Sequence, residues 1–458
     1  MLFEEAEFGY YDKAEHNAHQ AFEFYEDGKM PQALEELNTA LEINPANSSW
    51  HFNKGLTLDA MARFDDAISE YETALQLNPE DMEILNSLAV DYTRTGQYDR
   101  AITIFEHIQQ LDPKFEPCYC NRIITYTEMG LHDLAEQMFY LAQQINPDCA
   151  LCYYNIGNSL FARGEYKRAI RCWLRTAELE PSHPQINYRI AQAYWGDGDA
   201  ARSREHFLAE LRINPGDVDV IFDFGLFLLE VGEIESAKEK FNRILELNPD
   251  FAPAWFYLGE IAFDGCDYEQ AAKLYGQAFQ KDNKLTGPCY RLGQCALIKG
   301  QQQKVRIYLL SELELHPEDA DSLVSMGSIF WMIGDLDLST HCLLRAVDVD
   351  SANADAYYYL GLVRAGKGRF DEAAELLEHS LGIRSGCVDT LRELASVYLL
   401  MGRFTDAADR IRQAKALAAD DARLRALDRR IRLAWAMDRI GDFLWRFGPG
   451  FILKKARR

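Results

Sequence analysis

The chain is short of positive charge. Its 48 lysines and arginines face 72 aspartates and glutamates, a formal net charge of −24 over 458 residues. Phosphate binding leaves a basic stripe as its electrostatic footprint, and that deficit argues against a nucleic-acid partner. Long apolar runs are missing too. No stretch approaches the ~20 apolar residues that a membrane-spanning helix needs. The opening residues Met1, Leu2, Phe3, Glu4 and Glu5 lack the basic-then-apolar order of a secretory leader, so a cytoplasmic chain is expected. Signatures of catalysis are also lacking. There is no HExxH, and no serine or cysteine nucleophile in a recognisable local setting. Gly196, Asp197 and Gly198 read as a turn between helices and not as a phosphate loop. His16 and His19 share a helical face, and we read them as solvated surface. No enzyme activity and no cofactor are expected.

Proline is scarce as well, with 14 in all, but it is not scattered. Pro45, Pro79, Pro113, Pro147, Pro181, Pro215 and Pro249 stand 34 residues apart, and the register continues through Asn283, Pro317, Ser351, Ser385 and Ala419. A fixed period over most of a chain marks a stack of identical supersecondary units. With proline at place 32, twelve units run from Ala14 to Asp421 without insertion or deletion. Place 8 is Gly or Ala in all units but one, where Ile123 stands, and place 20 is mostly Ala, with Ser203, Val305 and Ser339 as departures. Small residues at these places let two helix axes approach closely. Place 15 is Gly in ten units, from Gly28 to Gly402, and ends the first helix of each. The proline ends the second helix. Between these marks apolar residues recur at helical spacing, as in Leu85, Leu88, Ala89 and Tyr92 facing Ala101, Ile104 and Phe105.

These residues carry a family resemblance. The chain resembles tetratricopeptide repeat arrays, in which each 34-residue unit is a helix–turn–helix. Trp255, Leu258, Gly259, Ala271, Tyr275 and Ala278 match the family pattern closely. The resemblance implies an all-α fold: a right-handed α-solenoid superhelix of about twelve repeats with a C-terminal capping helix. The expected organisation is an N-terminal cap at residues 1–13, the array at 14–421, and a basic amphipathic capping helix and tail at 422–458. Repeats 9 and 10 fit worst, because Val305 and Ser339 replace alanine, and they are expected to be softer or bent points.

The resemblance also says where to look for a binding surface. In such arrays the first helices line a concave face, and places 2, 5, 6, 9, 12 and 13 point into it. Here place 5 holds Phe52, Tyr154, Tyr188, Phe222, Phe256, Tyr290 and Tyr358. Tyr257, Trp195 and Trp331 occupy other inner places. Aromatic rings give large contact area at low entropic cost, so we read these as peptide-binding over the alternative that they fill joints between helices. Place 6 opens with Asn53, Ser87, Asn121 and Asn155, with Asn158 nearby, and continues with Arg189 and Arg291. An amide can bond an extended backbone without reading its sequence. The run is similar to the asparagine ladder in the repeat half of O-linked N-acetylglucosamine transferases, without their catalytic part. Acids including Asp223, Glu230 and Glu260 suggest a basic ligand further along. Binding of chaperone tails is not expected, since Cys120 and Ile124 stand where that clamp needs Lys and Asn.

Ten cysteines in a large helical chain fit a reducing compartment. Cys118, Cys120, Cys149 and Cys152 are the one cluster with metal-ligand spacing. Buried thiols are the preferred reading, since neighbouring first helices should hold them apart. Residues 422–458 carry +8 and leave −32 on the rest. In this segment Leu424, Leu427, Ile431, Ala434 and Trp435 form a capping face, while residues 441–458 mix aromatics with basic residues in a way that suits either docking on the acidic array or a membrane surface. The expected function is a non-catalytic scaffold binding an extended protein segment in its concave groove. The alternative is a targeting or regulatory subunit of an enzyme or envelope-assembly complex.

Overall fold

The fold is given by a computed structural model, which describes residues 2–315 and 318–447, and the side chains of 13–315 and 318–439. Among the described residues every regular element is a helix, and consecutive helices pack as pairs. The chain divides into two compact units, Met1–Ala237 and Lys238–Arg458. The first holds α1 (Leu2–Glu26) and α2 (Met30–Ile43), α3 (Ser48–Ala60) and α4 (Phe64–Leu77), α5 (Met82–Arg94) and α6 (Tyr98–Leu111), α7 (Glu116–Glu128) and α8 (His132–Ile145), α9 (Ala150–Ala162) and α10 (Tyr166–Leu179), α11 (Ile186–Gly196) and α12 (Ala200–Ile213), and α13 (Val218–Glu230). The boundary falls within α14 (Ile234–Leu247). The second unit continues with α15 (Ala252–Asp264) and α16 (Tyr268–Lys281), α17 (Pro288–Ile298) and α18 (Gln302–Leu313), α19 (Ala320–Met332) and α20 (Leu336–Val349), α21 (Ala354–Gly366) and α22 (Phe370–Ile383), α23 (Val388–Leu400) and α24 (Phe404–Leu417), and α25 (Ala422–Phe447).

Each sequence column has a visible physical job. The ten glycines at place 15 all take a left-handed backbone, for example Gly164 at φ 75°. Ala62 and Cys266 hold the same place in the two remaining repeats and take the same backbone, at φ 57° and 61°. The repeat geometry therefore imposes the turn even where the residue disfavours it. Asp81 opens α5 by accepting from the backbone N–H of Glu83 and Ile84, at 3.1 and 3.3 Å. Asp217 does the same for α13. Where Ser203 and Ser339 replace alanine at place 20, the hydroxyl donates to the place-8 carbonyl of Ala191 or Gly327, at 2.9 and 2.8 Å. The serine thus satisfies its own polarity and leaves the close approach intact. Repeat 10, expected as a weak point, keeps full-length helices of 13 and 14 residues.

Irregularity sits in repeat 9, one of the two expected points, and in repeat 6. Their first helices, α11 and α17, have 11 residues each. Both start after a left-handed residue, Gln185 or Gly287. The exposed helix start is closed from below by a buried glutamate of the second helix. Glu312 Oε1 accepts from Gly287 N–H at 2.6 Å, and its Oε2 accepts from Tyr290 N–H at 3.0 Å. Glu210 likewise accepts from Tyr188 N–H at 3.3 Å. Both occupy place 27, a column otherwise made of Ala, Ile, Thr and Ser. Glu312→Gln takes away one acceptor and points an amide at a backbone N–H; we expect a loss of about 1–2 kcal/mol, read as a lower Tm and faster hydrogen exchange at the start of α17.

Within the described residues both ends are helical. α1 runs unbroken through the segment expected as a separate N-terminal cap. Leu424, Leu427 and Ile431 of α25 are buried against the last pair, with Leu394, Ile411 and Ala414, as a capping helix requires. Residues 448–458 and the side chains from 440 onward lie outside the described residues, and the membrane-contact expectation for 441–458 lies there with them. No helix among the described residues is long and apolar enough to cross a membrane.

Candidate protein-binding face

First helices pack on their own partners, and several also pack on neighbouring first helices. In the first unit α3 touches α5, α5 touches α7 and α7 touches α9; in the second α19, α21, α23 and α25 follow the same rule. The sequence-predicted residues all lie on these first helices: Phe52 and Asn53 on α3, Asn121 on α7, Tyr154, Asn155 and Asn158 on α9, Tyr188, Arg189 and Trp195 on α11, Phe222 on α13, Phe256 and Tyr257 on α15, Tyr290 and Arg291 on α17, Trp331 on α19 and Tyr358 on α21.

Their surroundings revise the expectation. The place-5 rings are half-buried, and three of them lean on the core aromatic of the second helix. Phe52 meets Tyr71 at 5.8 Å between centroids, Tyr188 meets Phe207 at 6.3 Å, and Phe256 meets Tyr275 at 5.7 Å. Tyr154 lies against His183, Tyr257 stacks on Phe241, Trp331 tilts on Tyr359, and Tyr358 meets Tyr359 edge-on. Filling joints accounts for one face of each of these rings, and Phe222 is half-buried as well. The polar ends are also engaged. Tyr188 donates its hydroxyl to Asp223 at 2.7 Å, and Trp195 donates Nε1–H to Glu230 at 2.8 Å. Burial and the Asp223 carboxylate together push the Tyr188 phenol up. Tyr290 accepts from Gln294 at 2.8 Å. Arg291 pairs with Glu260 and Gln294 and lies over the Phe263 ring. Arg189 donates to Gln192 and lies over Tyr188.

The asparagine run is not a free ladder. Asn155 is 4% exposed and donates its amide to the Cys120 carbonyl at 3.2 Å. Asn121 donates to Asn86 at 3.0 Å. Asn53 and Asn158 stay half-buried on the face. These amides join one first helix to the next, which is why Asn155 drops out as a ligand-reading group. The acidic stripe is likewise spent within the chain, since Asp223, Glu230 and Glu260 each accept one of the bonds above.

Apart from Phe22, sequence reading did not single out the exposed apolar residues at places 2, 9 and 13 of the first helices. Phe22 is 56% exposed, Met332 55% and Leu400 61%. Ile124, Leu151 and Ile298 are exposed too. Between α1 and α3, Phe22, Tyr25, Ala18, Asn53 and Leu56 line a largely apolar pocket of about 70 Å³. The signal was present in the repeat frame: these residues fall at places 2, 9 and 13, where an apolar residue has no core to fill.

The four-cysteine expectation needs a correction in both directions. Cys118 faces away, donating to the Phe105 carbonyl at 3.2 Å, and burial pushes its thiol up to about 12. The other three do meet. Cys120 and Cys152 are joined as a disulfide with Cα atoms 5.2 Å apart, and Cys149 Sγ lies 3.6 Å from Cys120 Sγ. First helices are therefore close enough at this joint, because place 5 holds Cys120 in place of a ring.

Two family models, each described as tetratricopeptide repeat, match the sequence. One covers residues 154–218, 222–284 and 324–386, the other 59–118 and 364–431. Together they take in more than half of the chain. The chain belongs to the tetratricopeptide repeat family. No curated protein matches the sequence. Solved structures of similar fold include the APC/C hetero-tetramer Cut9–Hcn1, at 14% identity over 92% of this chain and 96% of that one, with a TM-score of 0.42. Yeast Tom70 matches at 15% identity over 97% and 99%, with a TM-score of 0.40. A tetratricopeptide repeat protein from Parabacteroides merdae matches at 20% over 52% and 94%, with a TM-score of 0.44. Tetratricopeptide repeat proteins generally mediate protein–protein interactions.

Proposed function

We propose that this tetratricopeptide repeat protein is a non-catalytic scaffold that takes an extended protein segment along the inner places of its first helices. The observation that carries the reading is the set of exposed apolar side chains at those places. Phe22, Ile124 and Leu151 supply it in the first compact unit, and Ile298, Met332 and Leu400 in the second. Large apolar groups left in water at positions the core does not need mark interaction surface. The half-buried rings of Phe52, Tyr154, Tyr188 and Phe256 form rigid ground beside them, held by the second helices. The bonds that join successive first helices keep that ground preorganised, which lowers the entropic cost of binding.

Tyr188→Ala would also remove the Asp223 bond and the Phe207 contact, so the exposed positions are the cleaner probe. We expect Phe22→Lys, Ile124→Lys and Leu151→Lys together to abolish recovery of crosslinked partners while leaving helicity and Tm unchanged. A matched triple change on exposed second-helix residues, Leu77, Leu111 and Ile213 to Lys, should leave recovery intact. The reverse pattern would move the binding surface to the second helices and end this reading.

A further inference from the structure

We propose that Glu116, Cys120, Cys149 and Cys152 form a structural zinc site that clamps the fourth repeat to the fifth. The four residues come from two adjoining helix starts. Glu116 is the first residue of α7, and Cys120 lies one turn on, on the same face. Cys149 is the N-cap of α9, and Cys152 is its third residue. One ligand atom from each, three sulfurs and one carboxylate oxygen, lies within 4.8 Å of all the others.

Three of the spacings suit a tetrahedron, and the remaining close pair, Cys120 and Cys152, is held together by the disulfide and has to part on reduction. With Zn–S near 2.3 Å and Zn–O near 2.0–2.2 Å, ligand atoms around one ion stand about 3.8 Å apart for two sulfurs and about 3.5 Å for sulfur and oxygen. Here Cys149 Sγ and Cys120 Sγ stand 3.6 Å apart, and Glu116 Oε1 lies 3.3 Å from Cys120 Sγ and 3.7 Å from Cys152 Sγ. Cys152 N–H already donates to Cys149 Sγ at 3.3 Å, the support a thiolate takes at a helix start. Cys120 and Cys152 are buried while Glu116 and Cys149 are half-buried, so the cluster has a wall and a way in. Four protein ligands leave no open position, which makes the site structural and not catalytic.

The disulfide and the ion are alternatives for the same sulfurs. A phosphine supplies two electrons to the Cys120–Cys152 bond, two protons from water give two thiols, and the phosphine leaves as its oxide. The three thiols then release three protons as the ion binds.

The test uses the full chain, reduced with a phosphine and titrated anaerobically with Co²⁺ and then Zn²⁺. We expect a thiolate-to-cobalt charge-transfer band that saturates at one equivalent, vanishes on adding Zn²⁺, and comes with a rise in Tm. Cys118→Ala should keep the band. Cys149→Ser should lose it, and Glu116→Gln should weaken binding by about tenfold or more, a change in the range seen when a zinc site loses one supporting group. Circular dichroism separates these results from a failure to fold, and half-exposed Glu116 provides a variant that does not disturb the core. A reduced chain that binds no cobalt, a band unchanged in Cys149→Ser, or a Cys120–Cys152 disulfide that survives reduction while Cys149 titrates as a free thiol would each overturn the site.

Discussion

Gly157→Ala is expected to unfold the fifth repeat locally and to cost about 3 kcal/mol, the upper part of the range for overpacking a filled core. The methyl group it adds would stand 2.6 Å from Trp173 Cδ1 and closer still to Nε1. Trp173 cannot swing aside. It is 1% exposed, sits in the largest cluster of the first unit, and donates Nε1–H to the Tyr154 carbonyl at 3.1 Å. Admitting the methyl means either breaking that bond or parting α9 from α10. The same contact recurs as Gly55 on Tyr71 and Gly259 on Tyr275, so the effect belongs to the repeat and not to one site. Gly276→Ala is the matched control. It lies inside α16 with nothing within 4 Å of an added methyl, and alanine there should stabilise by about 0.5–1 kcal/mol through helix propensity. Repeat arrays need not melt in one step, so the readout is hydrogen exchange resolved to α9 and α10 alongside Tm. A Gly157→Ala protein as protected as its parent would show that the Trp173 packing is softer than the geometry implies.

That pair of glycines shows what a sequence of this kind makes legible. A 34-residue period fixes where helices start and stop, because each column repeats one backbone problem and receives one solution. Gly157 and Trp173 are readable from the sequence as places 8 and 24 of their repeat. What the period hides is how a single repeat departs from its column. Glu210 and Glu312 were visible as acids in an apolar column, yet their meaning needs the two-residue shortening of α11 and α17 that leaves N–H groups to be closed. Cys118 and Cys120 look like a ligand pair in a linear motif. On a helix residues two apart point about 200° apart, so the partner of Cys120 is Glu116, one turn away. Asn155 and Asn121 share a place, but Asn155 sinks onto the Cys120 carbonyl while Asn121 bonds the Asn86 side chain. The binding face suffered most from this. Its aromatics and acids were correctly placed on first helices, and many of them are engaged with their neighbours one repeat along, at separations such as the 35 residues between Tyr188 and Asp223.

One of those neighbour contacts governs how stability should respond to pH. Asp91, on α5, is 1% exposed, and burial with Asp59 nearby pushes its carboxyl up to about 6, against the pull of Arg94. Arg94 bridges Asp59 and Asp91, but the Asp91 Oδ2 and the Tyr71 hydroxyl are both buried without a hydrogen-bond partner. The folded chain therefore holds the Asp91 proton more tightly than the unfolded chain, whose carboxyl titrates near 3.8. The sign follows. The contribution is fully favourable below the unfolded value and is lost as pH rises from about 4 through about 6, where the native state takes on a buried charge. The shift corresponds to about 2–3 kcal/mol. Asp91→Asn removes the charge and keeps the shape, so we expect it to raise stability by about that amount near pH 8 and to change little near pH 4. Asp59→Asn should act in the same direction with a smaller effect, by lowering the Asp91 value. Thermal melts of the three proteins across that range decide it. If Asp91→Asn destabilises the chain at every pH, the ion pair with Arg94 outweighs the burial of the carboxylate, and the acid is there to hold α5 to α3 through Asp59.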